Sequence, residues 1–249
     1  MSPVLETREL CKSFGALMVA DKINFTLSAG ARHALIGPNG AGKTTFVNML
    51  MGGLAPSSGS ILLGGVDVTD HSQRQRVKRG LGRTFQINTL FHNLTVVDNV
   101  SLAIAERHGV GWDMFRAANR YRSVLSESME VLELLGLADD AMLNLSAMPY
   151  GKQRLVEIAI ALGMRPKVLL LDEPAAGIPS IESHQILDVL DSLPSEIAIL
   201  IIEHDMDLVF RFARRITVLV QGAVLMEGGP DEVSSDERVR HVYLGERHG

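Results

Sequence analysis

The sequence predicts an α/β fold: a mixed sheet with parallel strands at its centre, an antiparallel β portion, and a helical insert. Three observations carry that prediction. A stretch that reads as a short buried strand, Arg32 to Ile36 (RHALI), leads into a glycine-rich loop, GPNGAGKTT, and on into a helix start at Phe46 to Met51. A continuous apolar run, Lys167 to Asp172 (KVLLLD), closes on two acids, Asp172 and Glu173, as a strand buried on both faces does. Between the strand-rich ends, Asp98 to Leu145 is mostly helical in pattern.

Composition bounds the function. The chain has 249 residues, a hydrophobic fraction of 46 % and a formal net charge of −5. That is enough apolar material for one large core or two small ones, and it lacks the basic stripe of a nucleic-acid binder. Cys11 is the single cysteine, which excludes an internal disulfide and fits a reducing compartment. The first residues, MSPVLETREL, have no apolar core of signal-peptide type, and no apolar run approaches the ~18 residues of a membrane span. The chain is expected to be soluble by itself, with any membrane association made through a partner.

In chain order, Val4 to Leu10 and Val19 to Leu27 read as antiparallel strands. Phe14 lies between them on a predicted loop. It is either an ordinary core phenylalanine or a platform for an adenine ring, and the nearby glycine-rich loop favours the platform. Ile61 to Val66 is a strand pair turning at Gly64-Gly65, and Ser72 to Lys78 a short polar helix. Gly82 to Gln86 is a strand ending in a glutamine that, taken alone, reads as a surface residue. Leu94 to Glu106 and Arg116 to Leu137 are amphipathic helices joined by a turn, His108 to Phe115, that holds the only tryptophan. Pro149 suits the first position of a helix carrying Leu155, Ile158 and Leu162, and Gly151 near its start would permit close approach of a ligand. Ile197 to Ile202 is a second buried strand, followed by Glu203, His204 and Asp205. A hairpin turning at Gln221-Gly222 and a helix over Asp231 to Val242 complete the chain.

The loop from Gly37 to Thr45 matches the spacing Gly, four residues, Gly-Lys-Thr. Glycines at Gly37, Gly40 and Gly42 let the backbone curl into a nest of N–H groups that suits an anion. The helix behind adds a partial positive charge. Lys43 would reach the β- and γ-phosphates, and the Thr44 hydroxyl would ligate Mg²⁺. Asp172 and Glu173 stand at the carboxyl end of a strand, where open α/β sheets place ligands. Asp172 would hold Mg²⁺, directly or through water, and Glu173 would orient and deprotonate a water. His204 would lie on the same edge if its strand neighbours that of Glu173, in reach of a γ-phosphate or the water.

Taken together, these motifs in this order resemble the ATP-binding subunits of ABC transporters over essentially the whole length, a P-loop NTPase with an ABC ATPase domain. The segments RTFQ (Arg83 to Gln86), PYGKQR (Pro149 to Arg154), DEPAAG (Asp172 to Gly177), EHDMDLV (Glu203 to Val209) and VYLG (Val242 to Gly245) are similar to the branch serving branched-chain amino acid importers, with urea-type importers as relatives. The resemblance implies a RecA-like core at 1–97 and 160–249, with its antiparallel β subdomain, and a helical subdomain at about 98–159. It implies that Phe14 stacks on adenine and that Gly37, Pro38, Asn39, Gly40, Ala41, Gly42, Lys43, Thr44 and Thr45 wrap the triphosphate of ATP. It gives Thr44, Gln86 and Asp172 to Mg²⁺, makes Glu173 the general base, and makes His204 a switch residue. Pro149, Tyr150, Gly151, Lys152 and Gln153 form the signature, facing ATP held by a second ABC subunit. The implied partners are that subunit, two integral membrane permeases and, indirectly, a solute-binding protein, at the cytoplasmic face of the plasma membrane. Phe91 and its neighbours would help receive a cytoplasmic helix of the permease.

Two positions depart from the broader pattern. Proline and tyrosine stand where a serine and a first glycine are usual in the signature, and Ile178-Pro179-Ser180 stand where an aspartate is usual. These departures suggest a non-identical sister subunit, with a homodimer as the other outcome. A soluble ABC ATPase of DNA repair or translation fits less well, because the insert is too short for a long coiled coil and the chain has a single phosphate loop.

Overall fold

The computed structural model describes residues 3–84, 90–109 and 117–244, without the side chains of 117–120, 180, 181 and 244. In chain order the strands and helices are β1 (Pro3–Phe14), β2 (Leu17–Ser28), β3 (Arg32–Ile36), α1 (Lys43–Met51), β4 (Ser58–Leu63), β5 (Val66–Asp67), α2 (Gln73–Lys78) and β6 (Leu81–Arg83). There follow α3 (Val96–Arg107), α4 (Ala117–Leu134), α5 (Tyr150–Gly163), β7 (Val168–Asp172), α6 (Ser180–Ser192), β8 (Ala198–Ile202) and α7 (Met206–Phe212). The hairpin β9 (Arg215–Val220) and β10 (Ala223–Gly228) precedes α8 (Pro230–Ser235) and α9 (Glu237–Leu244). The single terminal helix expected from the sequence is thus two. Asp236 stands between them and its Oδ1 accepts the N–H groups of Arg238 and Val239, so it ends one helix and caps the next.

Backbone contacts divide the chain into two compact units. The first comprises Met1–Leu81, Lys167–Glu173 and Pro194–Gly249. The expected antiparallel strands form a four-stranded sheet in the order β2-β1-β4-β5. A six-stranded sheet runs β10-β9-β3-β8-β7-β6. In it β3 pairs parallel to both β8 and β9, and β7 pairs parallel to β8. Every residue of β3 and β8 is buried, as in the strands of a parallel sheet covered on both faces; β8 is apolar throughout, while in β3 the buried Arg32 donates to Ile197 O at 2.8 Å and His33 Nε2 lies 2.8 Å from Thr217 Oγ1. The core of this unit gathers Leu5, Ile23, Phe25, Phe46, Leu170 and Leu200. Phe25 meets Phe46 edge-on at 5.6 Å, tying the antiparallel sheet to α1.

The second unit comprises Gly82–Pro166 and Pro174–Leu193 and is built from α3, α4, α5 and α6. Thr95 caps α3, its Oγ1 accepting the Asp98 N–H, which starts the helix two residues later than its apolar pattern suggests. Gly163 lets α5 cross α3 closely: a methyl group there would stand 3.0 Å from Ile104 Cγ1. Glu127 in the middle of α4 binds Arg107 Nη2 and, at 2.8 Å, Arg165 Nε, so one carboxylate ties the C-terminal ends of α3 and α5 to α4.

Candidate active site

The loop between β3 and α1 is shaped from behind. A methyl group on Gly37 would come 2.1 Å from the Leu219 carbonyl oxygen, and one on Gly42 2.6 Å from that of Val19. Strands β9 and β2 therefore dictate glycine at these two places. Gly40 has a left-handed backbone (φ 77°) and open space in front of it. The Ala41 carbonyl accepts the N–H of Gly222 at 3.0 Å, so the β9–β10 turn buttresses the loop. Lys43 Nζ donates to the carbonyls of Gly37 (2.6 Å) and Pro38 (3.1 Å), which holds the ammonium across the concavity. Among the described residues no side chain caps α1 at its N-terminus, and its first turn carries no acid. A helix start without a side-chain cap or an acid suits an anion. Thr44 is exposed and Thr45 half-buried beside it; Asn39 is exposed and Pro38 half-buried on the loop's outer side.

Strand order then assembles the chemistry. β3, β8 and β7 are adjacent and parallel, so the phosphate loop, His204 and the Asp172-Glu173 pair leave the sheet at one edge. The expected neighbouring of the two acidic strand ends is met: Asp172 lies opposite Ile202. Glu173 has a left-handed backbone, φ 47°, with its N–H bonded to Ile202 O at 2.9 Å. That kink turns its side chain out of the sheet, and its Oε1 stands 3.5 Å from His204 Nδ1. On the other side, the buried Glu203 accepts the His204 N–H at 3.2 Å and lies 3.9 Å from Nδ1. Asp205 caps α7 through the N–H groups of Asp207 and Leu208. His204 is thus held by the residues on both sides of it, while its ring stays largely exposed. The bent backbone at Glu173 and the inward turn of Glu203 are invisible in the sequence, because neither has a local signal.

A phosphate loop, two strand-end acids and a histidine on adjacent parallel strands form the arrangement of a nucleotide hydrolase, and residues 20–176 match the family model described as ABC transporter. The chain belongs to the ABC transporter family. Residues 223–249 also match the model for branched-chain amino acid ATP-binding cassette transporters. This ABC ATPase is 36 % identical to the high-affinity branched-chain amino acid transport ATP-binding protein LivG of Escherichia coli (strain K12), over 98 % of both chains. It is 36 % identical to the lipopolysaccharide export system ATP-binding protein LptB of Acidithiobacillus ferridurans, over 99 % of both. Among solved structures it resembles the ADP conformation of MJ1267, an ATP-binding cassette of an ABC transporter, with a TM-score of 0.86 and 28 % identity over 98 % of this chain and 100 % of that one.

The remaining expected residues fall as follows. Phe14 is the last residue of β1, paired with Leu17, rather than on a loop. A tight turn at Gly15-Ala16 follows directly and leaves the ring 52 % exposed, with Lys12 Nζ 5.1 Å from its centroid. Gln86 lies outside the described residues. Pro149 is the N-cap of α5 rather than its first helical residue, at φ −55° and ψ 149°. Tyr150 Oη accepts from Arg154 Nη2 at 2.8 Å, Lys152 pairs with Asp140, and Gln153 Nε2 turns back to Met148 O at 2.9 Å. Gly151 has an unexpected reason to be glycine: a methyl group there would meet Glu182 Oε2 at 2.3 Å, within the same unit. Phe91 is exposed, its N–H bonded to Asn99 Oδ1.

Proposed function

We propose that this ABC ATPase energises import of branched-chain amino acids or a chemically similar small organic solute. The match over residues 223–249 carries the choice of solute, because the phosphate loop is shared by the whole family. In this reading the backbone N–H groups from Asn39 to Thr45 and the Lys43 ammonium take the triphosphate, and Phe14 stacks on adenine. Glu173 accepts the proton of the attacking water. His204, held between two carboxylates, contacts the γ-phosphate or that water. Thr44 hydroxyl, Asp172 carboxylate and Gln86 amide are oxygen ligands of the kind Mg²⁺ takes, and the exposed Thr44 and half-buried Asp172 leave room for its waters. When bound, Mg²⁺ neutralises charge on the phosphate oxygens.

The signature from Pro149 to Gln153 is assigned to ATP held by a second ABC subunit, a non-identical sister in our reading. Two permeases would carry the membrane spans, with Phe91 receiving one of their cytoplasmic helices and a solute-binding protein delivering cargo. Among the described residues no helix is long and apolar enough to cross a membrane, and in our reading the permeases hold the chain peripherally on the inner face. The likeness to LptB favours a second reading, an ATPase of an export system. Uptake of labelled leucine, isoleucine and valine separates the two. Deletion of the gene is expected to abolish uptake of at least one, restored by the wild-type chain and not by Glu173→Gln. Uptake of all three unchanged by deletion overturns branched-chain amino acids as the cargo. An ATP-bound Glu173→Gln protein that forms a stable homodimer overturns the sister subunit.

A further inference from the structure

We propose that Arg76 is a positioning residue for the phosphate loop, acting from the far end of α1. The inference rests on the reading of Gly37 to Thr45 as the triphosphate site and adds a residue that no motif marks. The starting point is the helix itself. Its N-terminus carries Lys43 and Thr44; its last carbonyls have no partner within the helix. Asn48 O accepts the N–H groups of Gly53 and Leu54, and Met49 O that of Gly52, as in a glycine-terminated helix. Arg76 adds to these. Its Nη1 donates to Met49 O at 2.6 Å and Leu50 O at 2.7 Å. Its Nη2 donates to Thr69 O at 2.7 Å and its Nε to His71 O at 3.1 Å.

Arg76 is only 1 % exposed, and all four of these acceptors are main-chain carbonyls. Burial pushes its guanidinium below its ordinary pKa, while the charges of Asp67 and Asp70 pull it back up. A buried cation is costly, and an apolar residue could fill the space. What only arginine supplies is a rigid, planar fork. One prong grips the helix and the others grip the Thr69 to His71 segment. That segment is itself tied down, since Thr69 Oγ1 accepts the Ile61 N–H at 2.9 Å from β4. Gly52 permits the approach: a methyl group there would stand 3.0 Å from Arg76 Nε.

The consequence is leverage. With nine residues, α1 is a rod about 13.5 Å long. A tilt of about 5° at the pinned end moves the phosphate end by about 1 Å, a displacement that can cost up to about 10²-fold when it misplaces reacting groups. The positive end of the helix, the Lys43 ammonium and the loop amides move together, so the loss falls on phosphate recognition.

The test uses the full chain and displacement of a fluorescent ATP analogue by ADP and by pyrophosphate, the latter touching the phosphate loop alone. Arg76→Gln is expected to weaken both by about tenfold or more, and Arg76→Lys, a point donor without the fork, by an intermediate factor. Val233→Ala, a fully buried change on α8, serves as a control of lowered melting temperature with affinities within about twofold of wild type. Arg76→Gln with pyrophosphate affinity within twofold of wild type overturns the proposal, as does a loss no greater than that of Val233→Ala. If Arg76→Gln does not fold, Arg76→Lys decides: wild-type pyrophosphate affinity refutes the leverage. Wild-type protein that fails to bind ATP, or Lys43→Ala protein that binds it normally, refutes the underlying loop reading instead.

Discussion

Glu173 offers a separation of strain from chemistry. Its backbone is left-handed at φ 47°, a conformation that costs a side-chain-bearing residue about 1–2 kcal/mol. Glycine escapes that cost but gives up about 0.5–1 kcal/mol to the freedom of the unfolded chain. The carboxylate lost in Glu173→Gly stands 3.5 Å from an exposed His204, and a pair of that kind contributes about 0–1 kcal/mol. The central values leave a small net gain, about 0.25 kcal/mol, or roughly 0.5–1 °C in melting midpoint for a chain of this size. Glu173→Gln loses the same pair but keeps the side chain and the strain, so its midpoint falls at or slightly below wild type. Both variants lose the proposed general base and are expected to turn over ATP at least about 10²-fold more slowly. Lys22, exposed on β2 at the same φ of 47°, is the internal control: Lys22→Gly should gain stability comparably and keep full turnover. Scanning calorimetry with a coupled ATPase assay reads both quantities on the same samples. A Glu173→Gly midpoint at or below that of Glu173→Gln would refute the claim that the fold stores strain at its base.

Further predictions follow from the same geometry. Gly42→Ala places a methyl group 2.6 Å from Val19 O at a φ of 98°, so nucleotide titration should find ATP binding weakened by about 10-fold or more. His33 is held down at about 4 by burial, with Glu227 raising and Arg215 lowering it further. Folded protein therefore refuses a proton that the unfolded chain takes up near 6.5. Its contribution is complete above pH 6.5 and fades between 6.5 and 4, at up to about 1.4 kcal/mol per pH unit. Urea unfolding of His33→Gln should show a flatter decline across that window, and parallel declines would discard His33 as a major cause. Gly151→Ala should destabilise less in a Glu182→Ala background than in wild type, with a coupling on the order of 1 kcal/mol in a double-mutant cycle. Equal costs in both backgrounds would remove Glu182 as the reason for glycine there.

The sequence made some of this legible and hid the rest for a physical reason. Apolar runs at Lys167 to Asp172 and Ile197 to Ile202 announced buried parallel strands, because patterning is a property of neighbours along the chain. The same holds for the Gln221-Gly222 turn, where both residues have positive φ and the following strand pairs back directly. What stayed hidden depends on partners far away in sequence. The tie from Arg76 to Met49 spans 27 residues, and Gly222 reaches back to Ala41 across most of the chain. Gly151 could be read as a place for a ligand until Glu182 supplied a nearer cause. The glycines of the phosphate loop teach the same lesson, since Leu219 and Val19 press on two of them and only Gly40 faces open space. Both glycines that the motif requires, Gly37 and Gly42, are therefore answers to the strands behind the loop. Any change that shifts β2 or β9 should reach the phosphate site without touching a residue of the motif.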